Sequence, residues 1–127
     1  NHPGVVNRLK TLPADSTIFM PVVAQAELLA GIESLPDGRR KEDLRRLYEQ
    51  TVQAAANILP IDSRVAQCFG AIFAQLRRDG RPIETNDIWI AAIAQAHGLI
   101  VASSDAHLRF VSGLRVEDWT SSPSPLQ

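Results

Sequence analysis

Short runs of β-forming residues alternate along this chain with stretches of helical periodicity, and that alternation limits the fold more than any other feature. Thr17–Val23 carries Thr17, Ile18, Phe19, Val22 and Val23 and reads as a short buried strand with Pro21 near its end. Asn57–Ile61, Leu99–Ala102 and Leu114–Val116 are further strand candidates. Leu99–Ala102 is wholly apolar, as a strand buried on both faces would be.

Between these runs the apolar residues fall at helical spacing. Pro3–Leu12 predicts a short helix, since Pro3 suits a first turn and Val5, Val6, Leu9 and Leu12 share a face. Ala24–Leu35 predicts a helix closed by Pro36, and Arg39–Ala56 a longer one with Leu44, Leu47, Tyr48 and Val52 as its stripe. Asp62 or Ser63 should cap a helix that ends at Gly80, with Val65, Ala66, Phe69, Ile72, Phe73 and Leu76 as its apolar positions. Thr85 or Asn86 should cap another that ends at Ala96, with Gly98 as its C-terminal cap. Strands alternating with helices imply an α/β domain with a largely parallel sheet flanked by helices. In such sheets, ligands bind beyond the carboxyl ends of the strands.

Composition narrows the function classes. The 127 residues fit one domain, expected over residues 1–119, followed by a disordered Ser/Pro-rich tail over 120–127. No run approaches the roughly 20 apolar residues of a membrane span, and no basic start precedes an apolar stretch as in a signal peptide. A single cysteine, Cys68, excludes an internal disulfide and a cysteine-rich metal site, so a reducing cytoplasm is expected. A net charge of -1 means that any nucleic-acid surface must be a local patch. Two basic clusters qualify: Arg39, Arg40, Lys41, Arg45 and Arg46, and then Arg77, Arg78 and Arg81. Both also fit solvated helix faces, the first paired internally with Glu42, Asp43 and Glu49. His2, His97 and His107 lie on different elements, which argues against a shared metal site, and His97 and His107 read as structural or exposed. Trp89 reads as core or as dimer interface.

Three acids stand out by position. Glu27 follows the first strand candidate and lies in the first turns of a helix. Asp87 opens the helix Asn86-Asp87-Ile88-Trp89, and Asp105 follows the apolar strand in Ser103-Ser104-Asp105. Carboxylates converging at one sheet edge would suit a hard divalent cation, which prefers oxygen ligands and fills the remaining positions with water. Each acid also has a plainer reading. Glu27 and Asp87 would complement helix dipoles, and Asp105 would be a turn residue.

Those residues sit in motifs that resemble one family. Ala26-Glu27-Leu28-Leu29-Ala30-Gly31-Ile32 is similar to the E-L-x-x-G helix of PIN domains, and Asp87-Ile88-Trp89-Ile90-Ala91-Ala92 to their D-x-x-I-A-A motif. Leu99-Ile100-Val101-Ala102-Ser103-Ser104-Asp105 is similar to the family strand ending in T-x-[DN], with Ser103 in place of Thr. Gly113-Leu114-Arg115-Val116-Glu117-Asp118-Trp119 resembles the family's ending. Each motif alone is weak, and the four in order are specific. The resemblance, to VapC-type toxins in particular, implies a Mg2+- or Mn2+-dependent endoribonuclease. It also implies an RNA substrate, a cognate antitoxin as partner, a homodimer and no membrane association. It matches Glu27, Asp87 and Asp105 to the second, third and fourth acidic positions and Ser103 to the small hydroxyl residue near the site.

The chain departs from the family at its start. PIN domains open with a strand followed by Asp, as in L-L-D-T-N, whereas Asn1-His2-Pro3-Gly4 resembles a segment beyond that motif. Asp15 lies in Leu12-Pro13-Ala14-Asp15-Ser16, with no strand candidate before it, and does not substitute. The first strand and first acid are therefore expected to be absent. A truncation, an upstream start and a catalytically silent PIN-like protein that acts by engaging an antitoxin or partner all fit this departure.

Overall fold

The computed structural model describes residues 18–54, 56–103 and 105–118. These fall in two compact units, one of residues 15–61 and one built chiefly from residue 62 onward. The expected helix Pro3–Leu12, the expected absence of a strand ahead of it and the tail from Ser121 lie outside the described residues.

The first unit begins with β1 (Ile18–Pro21), which runs directly into α1 (Val22–Glu33). The strand stops two residues short of the expected Val23. Proline has no N–H to extend a ladder, and its φ of -60° already suits helix entry. After a turn, α2 (Arg39–Tyr48) passes into a π-helical turn (Glu49–Gln53) rather than continuing as one helix to Ala56. Thr51 Oγ donates to the Leu47 carbonyl at 2.7 Å, a local bond that competes with the regular helical ladder at the switch. Next in the described chain is β2 (Ala56–Leu59), which is followed by Pro60 and pairs parallel with β1 in the register Ile18 to Ala56 and Pro21 to Leu59. Ile32, Tyr48 and Val52 form this unit's core, with Met20, Leu28, Leu44 and Ile58 packed against them. Three of the five basic residues of α2 are engaged with acids. Arg45 reaches Glu33 at 2.7 Å, Arg46 reaches Asp43 at 3.5 Å and Lys41 reaches Asp37 at 3.3 Å. The solvated, internally paired reading of that cluster accounts for these contacts.

The second unit opens with α3 (Ser63–Arg78), capped as expected by Asp62, whose carboxylate accepts the Val65 N–H at 3.0 Å. Val65, Ile72 and Leu76 are buried, whereas Phe73 and Ala66 are exposed. Phe69 packs on Trp89 with ring centroids 4.1 Å apart. Next comes α4 (Thr85–His97), which buries Ile88, Ala91, Ala92, Ile93, Ala94 and Ala96 and ends at Gly98 with the left-handed φ of 65° that a C-terminal glycine supplies. Its N-terminal flank is Glu84, with no side-chain cap, so neither Thr85 nor Asn86 plays the expected capping part. β3 is reduced to Val101–Ala102 and pairs parallel with β4 (Val116–Glu117). Side chains alternate across so short a ladder, so Val101 is buried while Ile100 is 50% exposed, against the expectation of a fully buried run. A 3-10 turn (Ala106–Phe110) connects the two strands and buries Leu108.

Every described strand pairing is parallel and the helices lie between strands in sequence, so the architecture is the expected α/β type with short ladders. Among the described residues, no helix is long and apolar enough to cross a membrane.

Candidate acidic site

The second unit presents an open cleft of about 530 Å³ lined by Pro82, Ile83, Glu84, Asp87, Asp105 and His107. Two of the three acids singled out in the sequence meet there. Asp87 is carried by the first turn of α4, where the helix dipole favours negative charge. Asp105 follows β3 and caps the 3-10 turn, so strand and helix deliver their carboxylates to one place.

Local hydrogen bonds hold Asp105 in position. Its carboxylate accepts the His107 backbone N–H at 2.9 Å, and its own backbone N–H donates to Ser103 Oγ at 3.0 Å. The His107 imidazole lies beside it, Nδ1 to Oδ1 at 3.1 Å. The His107 N–H is the main cause holding the Asp105 carboxyl below its ordinary range. Slight burial opposes it, while a hydrogen bond with the Asp87 side chain and the nearby imidazole act in the same direction. Two carboxylates lining one cleft repel each other when both are ionised, so a cation beside them is favoured.

Ser103 therefore touches the backbone of an acid and acts on the cleft through it. Glu27 is exposed on α1, in the first unit. Among the described residues, no group of three or more His, Cys, Asp or Glu side chains is arranged to hold a metal ion. A carboxylate pair open to water still fits Mg2+ or Mn2+, since such ions bind one or two carboxylates and keep several waters. Asp87 and Asp105 are the residues that would hold one.

Sequence reasoning passed over two lining residues. Glu84 carries no motif, and it reaches the cleft only because α4 starts one residue after it. His107, read as structural or exposed, is indeed exposed and in addition lines the cleft. The signal available was its place two residues after Asp105, a spacing at which an Asp carboxylate accepts the backbone N–H and turns the chain back on itself.

Comparison with known proteins places the whole chain. The family model described as the PIN domain matches residues 1–114. The plasmid stability protein StbB of Pseudomonas syringae pv. tomato is 34% identical over 102 residues, covering 79% of this chain and 73% of its own. The VapC ribonuclease Y4jK of Sinorhizobium fredii is 30% identical, with the same coverage of 79% and 73%. Among solved structures, FitAcB from Neisseria gonorrhoeae superposes with a TM-score of 0.78 at 30% identity, covering 91% of this chain and 84% of that one. VapBC-5 from Mycobacterium tuberculosis, a member of the VapBC family of toxin-antitoxin systems, gives a TM-score of 0.64 at 28% identity and 76% coverage of both chains.

Proposed function

The chain belongs to the PIN-domain family, and from that premise we propose that it is the toxin of a toxin-antitoxin pair, a Mg2+- or Mn2+-dependent endoribonuclease. The observation that carries this reading is the meeting of the Asp87 and Asp105 carboxylates in an open cleft. A relative named as a VapC ribonuclease and a fold neighbour from a toxin-antitoxin system support it.

In this reading Asp87 and Asp105 hold the divalent ion, and Ser103 keeps Asp105 in place through its backbone. Glu27 is assigned to the same acidic set on the family pattern alone. Asp87 and Asp105 would hold the ion, which would supply Lewis-acid polarisation of a phosphate and a more acidic bound water. The openness of the cleft leaves room for a strand of RNA to lie across the acids. The cognate partner is an antitoxin protein, the toxin acts in the cytoplasm and it works as a homodimer. A monomer by sedimentation at micromolar concentration would remove the dimer from this proposal.

The test is RNA cleavage by the chain with Mg2+ or Mn2+, against chelator and against Asp87→Asn. Losing a ligand or its close support weakens metal affinity or activity by about 10–100-fold or more, so Asp87→Asn should leave little or no cleavage while the fold persists. Cleavage that survives both chelator and Asp87→Asn would sink the proposal. Absence of cleavage in any metal, with tight antitoxin binding retained, would instead favour a silent PIN-like binding protein.

A further inference from the structure

Beyond the acids, the second unit carries a row of side chains that the metal reading leaves unused. Asp105 is in contact with the His107 imidazole at 3.1 Å. That imidazole meets the Phe110 ring edge-on, with centroids 5.6 Å apart. The opposite end of the row is Arg81, whose guanidinium carbon stands 4.7 Å from the Phe110 centroid. The row leads without a break from the acidic cleft to a cation.

Both ends of the outer pair are anchored on the end of α3. The Arg81 backbone N–H donates to the Leu76 carbonyl at 3.0 Å, just after Gly80 turns the chain with a left-handed φ of 65°. Gln75 grips the other side. Its Nε2 donates to the Phe110 carbonyl at 3.0 Å, and its Oε1 accepts the Ser112 N–H at 3.0 Å. Arg81 is exposed and forms no ion pair among the described residues, in contrast to Arg45, Arg46 and Lys41 of the first unit. A guanidinium resting on an aromatic face loses rotamer freedom, yet keeps its in-plane N–H donors available for a phosphate oxygen. The acids repel a polyanion, so an RNA strand crossing them gains from a fixed cation on one flank.

We propose that Arg81, stacked on Phe110 and continued to the cleft by His107, is an RNA-contacting residue that binds a backbone phosphate flanking the acidic pair. The inference deepens the ribonuclease reading and rests on it for the identity of the substrate. Arg81 supplies the charge-assisted hydrogen bonds, and Phe110 holds it in place. His107, tied to Asp105, sets the distance between that phosphate and the acids.

The test measures binding separately from cleavage. A fluorescent single-stranded RNA is titrated with the full chain in chelator, so that no strand is cut, across a series of salt concentrations. Arg81→Gln should weaken binding about tenfold and reduce the slope of log affinity against log salt by roughly 0.7, the share of one single-strand phosphate contact. Arg81→Lys should recover most of the salt slope, and Phe110→Leu should lose affinity while keeping it. A stack that served only the fold would lower the melting temperature in Arg81→Gln and leave the salt slope alone. Unchanged affinity and slope in Arg81→Gln, or no RNA binding by the parent chain, would overturn the inference. If the parent binds RNA with this Arg81 dependence but never cleaves it with metal, the ribonuclease reading fails and the phosphate contact stands.

Discussion

Residues 15–61 and residues 62–118 are each built from two helices and one short parallel ladder, yet they are held together differently. The first has a small core of Ile32, Tyr48 and Val52, and an outer layer of ion pairs running along α2. In the second, α4 is buried along most of its length, and Val65, Leu76, Ile93 and Leu108 are almost fully enclosed. Two of its glutamines bond backbone far along the chain, Gln75 at Phe110 and Ser112 and Gln95 at the Ser112 carbonyl. The difference teaches where precise chemistry can be placed. Carboxylates must be held within a fraction of an ångström to share a cation, and a helix backed by the buried Ile88 and a pinned turn give that support.

The comparison can be broken most directly by the same truncation in each unit. Ile93→Ala removes a side chain with no exposure and should cost about 3–5 kcal/mol, whereas Ile32→Ala, at 5% exposure in the smaller core, should cost nearer 2 kcal/mol. Urea denaturation of both variants checks this, and equal costs would dissolve the contrast. Gln75→Ala comes next. It removes the bonds to the Phe110 carbonyl and the Ser112 N–H together, both within reach of water, and should cost about 1–2 kcal/mol. Hydrogen exchange should show the loss first at the Ser112 amide. A smaller effect is expected at the α3 cap, where Asp62→Ala should remove about 1 kcal/mol, read as a lower urea midpoint with an unchanged slope.

The smallest effect belongs to the surface of the first unit. The Arg45 hydrogen bond, and then its charge, hold the Glu33 carboxyl below its ordinary value of 4.5. A depressed carboxyl contributes stability above its unfolded value and loses it as pH falls through the folded one. Both side chains are well exposed, so Arg45→Met should lower the melting temperature slightly at neutral pH and low salt. That difference should vanish in high salt and again as the pH drops well below 4.5. A gap that persisted under both conditions would mean that the ion pairs hold this unit as firmly as its core does.

Much of this protein could be read from particular residues. Asp62 announced the start of α3 and Gly98 the end of α4, because caps act through hydrogen bonds and φ angles within a few residues. Asp87 and Asp105 stood out because they follow a helix start and a strand end, which are positions along the chain. The π-helical turn at Glu49–Gln53 was hidden, since a threonine bonding its own helix leaves no periodic trace in an apolar pattern. The β1 boundary was misplaced because Val22 and Val23 favour strands, while the helix they enter follows from the proline before them.

Sequence alone therefore determined the α/β alternation, the Asp62 and Gly98 caps and the family, all of them properties of order and short spacing. Only the tertiary structure decided that Asp87 and Asp105 share one cleft, that Ser103 acts through the Asp105 backbone, and that Glu84 and His107 line the site. It also decided which of two similar basic clusters is partly paired with acids and which holds an arginine over a phenylalanine. Contacts such as Gln75 with Phe110, 35 residues apart, depend on how helices pack, and packing is a property of the whole core that no local window contains.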